Sequence, residues 1–253
     1  MAASVKVSQR LERAQQASLD AASVQSTQVC RVGKDIYSAV TFYKMDISFP
    51  RTHNKWTIRK RYSEFYKLRR ALALLLKHDK KQSNQRQALP LPLKLLEESL
   101  TPAFPRRHLR ADNVAIIEER REALQTFVQQ LVKIMCAFSP EAKVDTSLKS
   151  LQATLKDFLA FPDEQLHMDA KRTLAILALE DVVVASSTNV IETETSTSDC
   201  CSICLGEWNE AECADMHIVK LPCAHVFHEE CVMDWLAVSS ECPLCRTEAS
   251  NPR

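Results

Sequence analysis

Between positions 201 and 245 the sequence sets out four ligand-like pairs in order: Cys201-x-x-Cys204, Cys223-x-His225, His228-x-x-Cys231 and Cys242-x-x-Cys245. No other feature constrains so strongly what the chain can fold into. A short C-x-x-C turn brings two thiolates to one metal, and eight donors supply two tetrahedral sites with no open position. Thiolate and imidazole donors favour zinc over magnesium or calcium. A redox device needs one active C-x-x-C pair, not four pairs. A catalytic zinc keeps a position open for water, so closed sites point to structure. The stretch is short, with Phe227, Trp235, Leu236 and a few aliphatics as its apolar content. The metal must therefore supply much of the folding energy.

A chain of 253 residues, 45% hydrophobic and 26% charged, suits one or two globular domains. With only 2 glycines, a glycine-rich phosphate cradle is excluded. MAASVKVSQRLERAQQ lacks the apolar run of a secretory signal. ALALLL and LAILALEDVVVA are too short or too charged to span a bilayer. Alanine after Met1 removes a myristoylation reading. The expectation is a cytoplasmic protein whose cysteines stay reduced and bind metal. The net charge of +1 hides an asymmetry. From Val24 to Ala160 there are 25 Lys+Arg against 13 Asp+Glu, a net 25 − 13 = +12. From Cys200 to Arg246 there are 2 against 8, a net 2 − 8 = −6. The basic region suits an anionic surface, and the acidic one argues against a nucleic-acid-binding zinc module.

Residues 1–23 read as a polar tail with helical character in SQRLERAQQ. STQVCRV, SAVTFYKMDISF and KWTIRKRY read as three strands. SEFYKLRRALALLLK reads as a helix with Ser63 as N-cap. Residues 78–106, polar and then punctuated by proline, read as a long loop. Ile117, Leu124, Phe127, Leu131, Ile134 and Met135 recur at helical spacing, and SLKSLQATLKDFLAF gives a further helix. The first domain is thus an α+β unit, a three-stranded antiparallel sheet packed on helices. DEQLHMDAKRTLAILALEDVVV reads as a weaker helix without an assigned role. Residues 186–199 hold 8 Ser/Thr in 14 positions and read as a flexible linker.

The Cys/His series resembles the RING finger, in its variant with two central histidines. The resemblance runs from Cys201 to Arg246 and implies a small cross-brace fold. Cys201, Cys204, His228 and Cys231 would hold one zinc and Cys223, His225, Cys242 and Cys245 the other. Cys200, Cys213 and His217 read as bystanders. RING fingers of this kind usually act as ubiquitin ligases. They bind a ubiquitin-conjugating enzyme charged with a ubiquitin thioester and position it for attack by a lysine. Ile203, Trp235 and Pro243 match the family's positions for gripping that enzyme. Arg246 matches an arginine that hydrogen-bonds across conjugating enzyme and ubiquitin, a task suited to a planar five-donor guanidinium. The bland readings are a core anchor for Trp235, a knuckle-shaping proline at 243 and an ordinary surface charge at 246.

WTIRKRYSEFYKLRR, Trp56 to Arg70, carries six basic residues against Glu64 alone. With FPRR at 104–107 and IIEERREALQTFVQQL, it resembles the phox-homology (PX) domain, over roughly Val24 to Phe161. That family binds phosphoinositides. A phosphomonoester suits a bidentate arginine, an inositol ring suits an aromatic face, and an anionic leaflet attracts a basic surface. The resemblance implies that Arg61 grips the 3-phosphate, Tyr62 packs under the inositol ring, Arg107 contacts the 1-phosphate and Arg120 the ring hydroxyls. Lys94 and Arg106 are rivals of Arg107. The family's commonest lipid is phosphatidylinositol 3-phosphate, found on early endosomes. Leu91, Leu93, Leu95 and Leu96 either dip into the bilayer or pack against the domain.

The sequence thus reads as a PX-like domain at 24–161, a helix at 162–185, a linker at 186–199, a RING finger at 200–247 holding two zinc ions, and a tail at 248–253. The expected function is a ubiquitin ligase, peripheral on endosomal membranes. Its expected partners are a ubiquitin-charged conjugating enzyme, protein substrates and a phosphoinositide, but no nucleic acid. The rival is a sorting-nexin-like adaptor whose zinc finger only binds proteins. No Ser, Cys and His arrangement elsewhere supports a nucleophile of the chain's own.

Overall fold

A computed structural model describes residues 2–32, 40–82, 89–108, 113–138, 146–182, 191–192, 197–198, 200–208 and 217–250. In chain order the elements are α1 (Ala2–Ala21), β1 (Ser23–Val32), β2 (Val40–Phe49), β3 (Asn54–Arg61), α2 (Tyr62–Gln82), α3 (Leu91–Leu100), α4 (Val114–Cys136), α5 (Thr146–Leu159), α6 (Asp163–Leu177), β4 (Glu180–Val182), β5 (Ile191–Glu192), β6 (Thr197–Ser198), β7 (Ile218–Lys220), β8 (Val226–His228) and α7 (Glu229–Leu236). The chain divides into two compact units, one of Ser18–Asp163 and one of Met1–Ala17 with Glu164–Arg253. The fold is the expected α+β class with a three-stranded antiparallel sheet, plus a small Cys/His-rich domain. No helix among the described residues is long and apolar enough to cross a membrane.

In the unit of Ser18–Asp163, the alternation read in the sequence becomes the sheet β1-β2-β3. Tyr43, Met45, Ile47 and Phe49 of β2 point inward and are buried, while the residues between them are half-exposed. A register shift between Ser26 and Gln28 bends β1. Phe65, Leu68, Leu72 and Leu76 of α2, Leu124, Phe127 and Leu131 of α4, and Leu151, Leu155 and Phe158 of α5 complete the core. Trp56 closes it at the end of α5: its indole nitrogen donates to the Leu159 carbonyl at 2.9 Å, and its ring stacks on Phe49.

Three readings are corrected. The helix after β3 starts one residue before Ser63, at Tyr62. The Glu64 carboxylate reaches back to accept from the Arg61 backbone N–H at 2.7 Å, so the acid of RYSE closes this terminus. The Pro-rich stretch is not one long loop, because Leu91–Leu100 is helical. Pro92 sits in its first turn, where a missing N–H leaves no bond unmade. Leu93 and Leu96 are fully buried there, which settles them as core, while Leu91 stays exposed. The weaker helix stops at Leu177, and Glu180–Val182 turns into a strand.

The stretch at 1–23, read as a polar tail with helical character, forms α1, whose residues up to Ala17 belong to the other unit. β4 pairs antiparallel with β7, and β7 with β8. Ala175, Ile176 and Leu179 enter one buried cluster with Trp208, Val219, Leu221, Phe227, Val232 and Leu236, and Leu11 and Ala14 of α1 pack against it. The Cys/His domain therefore has more apolar support than its own stretch of sequence supplies. Within the stretch at 186–199, β5 pairs antiparallel with β6, and the other residues lie outside the described ones.

Candidate metal centres and candidate lipid pocket

The two C-x-x-C turns are built alike. The Leu205 N–H donates to the Cys201 carbonyl at 2.7 Å, and the Arg246 N–H to the Cys242 carbonyl at 3.0 Å. The return strand then closes each knuckle: Cys201 N–H donates to Gly206 at 3.0 Å and Cys242 N–H to Thr247 at 2.8 Å. Leu205 and Arg246 both sit in the left-handed region, at φ 63° and 58°. That conformation lets four residues turn sharply enough to aim two sulfurs at one point.

The structure gathers the eight residues into two quartets. Ligand atoms of Cys201, Cys204, His228 and Cys231 lie within 4.8 Å of one another, as do those of Cys223, His225, Cys242 and Cys245. The chain order of the pairs thus alternates between the two clusters. His225 Nδ1 lies 3.3 Å from the Cys223 sulfur and His228 Nδ1 3.3 Å from that of Cys204, so Nδ1 is the inward nitrogen in both rings. Burial and the neighbouring thiolate of Cys201 push the Cys231 thiol up to about 12, and burial foremost does the same to Cys242. Sulfurs crowded in this way ionise together when a cation sits among them. The donor set and its closed quartets fit two structural zinc ions. Cys200 and His217 join neither quartet, and Cys213 lies outside the described residues.

Around the centres, α7 connects the two knuckles. Its Cys231 belongs to the first quartet, and the Trp235 indole donates to the Glu241 carbonyl at 2.7 Å, next to Cys242. Leu205 is 76% exposed, Val238 and Leu244 are 52% exposed each, and Trp235 is 37% exposed. Pro243 is half-buried and Arg246 exposed. Ile203, by contrast, packs partly against the core. Leu205, Val238 and Leu244 escaped the sequence reading. Their signal was an apolar residue where the neighbouring ligands leave no core to bury it.

The basic residues of the other unit surround a second site. Tyr62 opens α2 and is buried; its hydroxyl donates to the Pro105 carbonyl at 2.5 Å. The Arg120 guanidinium, also buried, lies 3.9 Å from the centre of the Tyr62 ring, and Phe104 stacks on that ring at 6.0 Å. Burial pushes the phenol above its ordinary value, against the pull of Arg120. Arg69 donates to the carbonyls of Leu100 and Pro102 at 2.6 and 2.9 Å and lies over Phe104. The sequence reading missed Arg69, which ties the C-terminus of α3 to the loop holding Arg106 and Arg107. Both of those arginines are exposed, as are Arg61 and Lys94. Arg61 and Arg59 lie over the Phe42 ring, at 5.4 and 4.1 Å. Arg120 and Tyr62 thus form a stacked pair walled by a basic loop, with Arg61 beside them in sequence.

Residues 199–246 match the family of the ring finger domain, and residues 50–146 match the PX domain. The chain combines a PX domain with a C-terminal RING-H2 finger. Over 84 residues it is 43% identical to the RING-H2 finger protein ATL40 of Arabidopsis thaliana, covering 32% of this chain and 34% of that protein. Over 48 residues it is 42% identical to the E3 ubiquitin-protein ligase RNF181 of Rattus norvegicus, covering 19% and 27%. Over 56 residues it is 41% identical to the E3 ubiquitin-protein ligase arkadia of Xenopus tropicalis, covering 22% and 6%. The chain spans about a third or less of the length of these relatives.

Proposed function

We propose that the chain is a RING-type ubiquitin ligase that its PX domain directs to phosphoinositide-marked membranes, endosomes foremost. The observation that carries the ligase reading is the pair of closed Cys/His quartets with exposed apolar side chains on both knuckles and at the end of α7. Such a site has no open coordination position and no nucleophile. It contributes by holding a reactive partner in place, an entropic contribution. Zinc bound by the eight ligands would supply structural stability alone.

In this reading the charged conjugating enzyme docks on Trp235, Pro243 and Ile203, flanked by Leu205 and Leu244. Arg246, held exposed by its left-handed backbone, offers its fork to conjugating enzyme and ubiquitin together. The thioester is then presented to a substrate lysine. Arg61 and Arg107 take the lipid phosphates, and the Tyr62–Arg120 stack faces the inositol ring and its hydroxyls. Docking on phosphatidylinositol 3-phosphate raises the ligase's concentration near membrane-bound substrates.

The test is self-ubiquitination with purified activating enzyme, a panel of conjugating enzymes and the Ile203→Ala variant. Zinc-dependent chains that vanish in the variant support the ligase. A folded, zinc-loaded chain that makes none with any conjugating enzyme favours the adaptor.

A further inference from the structure

The N-terminal helix is separated in sequence from the RING finger by the PX unit, yet its residues up to Ala17 belong to the finger's own unit. Leu11 and Ala14 pack on its apolar cluster. Arg10 is 1% exposed, as buried as any core leucine. A guanidinium is not buried without partners, because desolvation of the charge is costly. Its partners are Glu229, at 2.8 Å, and Asp181. Arg13 adds ion pairs to Glu229 and to Glu230. Glu229 is itself buried and opens α7, while Asp181 lies in β4. One guanidinium nitrogen, Nη2 of Arg10, therefore joins three elements: α1, the strand beside β7 and the first turn of α7.

The place of that clamp matters. α7 has eight residues, too few to stand as a helix without tertiary support. It holds Cys231 of the first quartet and Trp235, which reaches the second knuckle. We propose that Arg10 is a positioning residue of the RING finger, fixing through Glu229 the helix that presents Trp235 to the conjugating enzyme. This rests on the ligase reading above. It makes α1 a working part of the finger, which the ring finger match at 199–246 leaves out.

The test compares full-length wild type with Arg10→Met, which keeps the stem without the charge, and Arg10→Lys, which keeps the charge without the fork. Bound zinc, hydrogen exchange of the α7 amides, and ubiquitin discharge against concentration of charged conjugating enzyme are measured on each. Arg10→Met should retain two zinc ions and raise the KM for the conjugating enzyme about tenfold, the scale of weakening one anchor contact of an interface. Its kcat should change less than twofold, its α7 amides should exchange faster, and Arg10→Lys should restore only part of the KM. A structural role would lower kcat and zinc content together. If Arg10→Met loses zinc, Arg10→Lys decides: a raised KM with two zincs supports the proposal, and wild-type kinetics overturn it. An active wild type matched by Arg10→Met overturns the positioning role alone. A wild type that discharges nothing overturns the ligase reading and this role with it.

Discussion

The Tyr62–Arg120 stacked pair can be taken apart quantitatively. Tyr62 and Arg120 are both buried, with the guanidinium 3.9 Å from the ring centre. A desolvated cation–π contact of this kind is worth about 2 kcal/mol. The hydroxyl adds a buried hydrogen bond to Pro105, and leaving that carbonyl unsatisfied costs about 1–3 kcal/mol. Tyr62→Phe should therefore cost about 1–3 kcal/mol while keeping the stack. Tyr62→Leu should cost more, since it also loses the contact with Arg120 and the stacking on Phe104, worth about 0.5–1.5 kcal/mol. The decisive quantity is the coupling in a cycle of Tyr62→Leu, Arg120→Met and the double variant, expected at about 2 kcal/mol. Urea-dependent hydrogen exchange of α4 peptides reads this unit without signal from the zinc unit. A coupling below about 0.3 kcal/mol, within ordinary additivity, would show that the two side chains do not support each other and refute the reasoning.

Other outcomes follow from the same structure. A chelator strong enough to strip both zincs should melt exchange protection in β7, β8 and α7 while leaving α2 and α4 protected; joint loss in both units would contradict their separate folding. Leu205→Gly should slow chelator-driven zinc release, because glycine relieves about 1 kcal/mol of left-handed backbone cost and the exposed side chain gives up little packing. Faster release would show that Leu205 packs more than its exposure implies. The Tyr62 phenol, raised by burial, should ionise late in an alkaline absorbance titration, and Tyr62→Phe should remove that late step. Since its folded value lies above the unfolded one near 10, its contribution to stability is complete below about pH 10 and lost as pH rises through the folded value. Loss of a step near the ordinary phenol value in Tyr62→Phe, in place of the late one, would count against the buried placement.

The metal quartets were legible because their members come in local pairs. Two cysteines three apart can reach one metal whatever the rest of the chain does, so Cys201/Cys204 and Cys242/Cys245 announce themselves. The strands were legible for a similar reason: alternation along Tyr43, Met45, Ile47 and Phe49 is a local code for one buried face. What escaped depends on partners distant in sequence or on context. Arg10 reads as a charge on a polar helix until Asp181 and Glu229, 171 and 219 residues away, are seen beside it. Prolines 90 and 92 read as loop, yet at the start of a helix proline costs nothing, and Leu93 and Leu96 hold that helix to the core. Arg69 reads as one more basic residue in LRR, and only the fold shows it capping α3. At Leu205 and Arg246 nothing in the residue type signals a left-handed backbone; the knuckle imposes it.

The most direct measurement is the rate at which the full-length chain discharges ubiquitin from a charged conjugating enzyme onto lysines anchored to vesicles, with and without phosphatidylinositol 3-phosphate. The account predicts transfer that requires zinc, rises when the lipid is present, and loses that rise in Arg61→Ala. No transfer by the zinc-loaded chain, or transfer indifferent to the lipid, would contradict it.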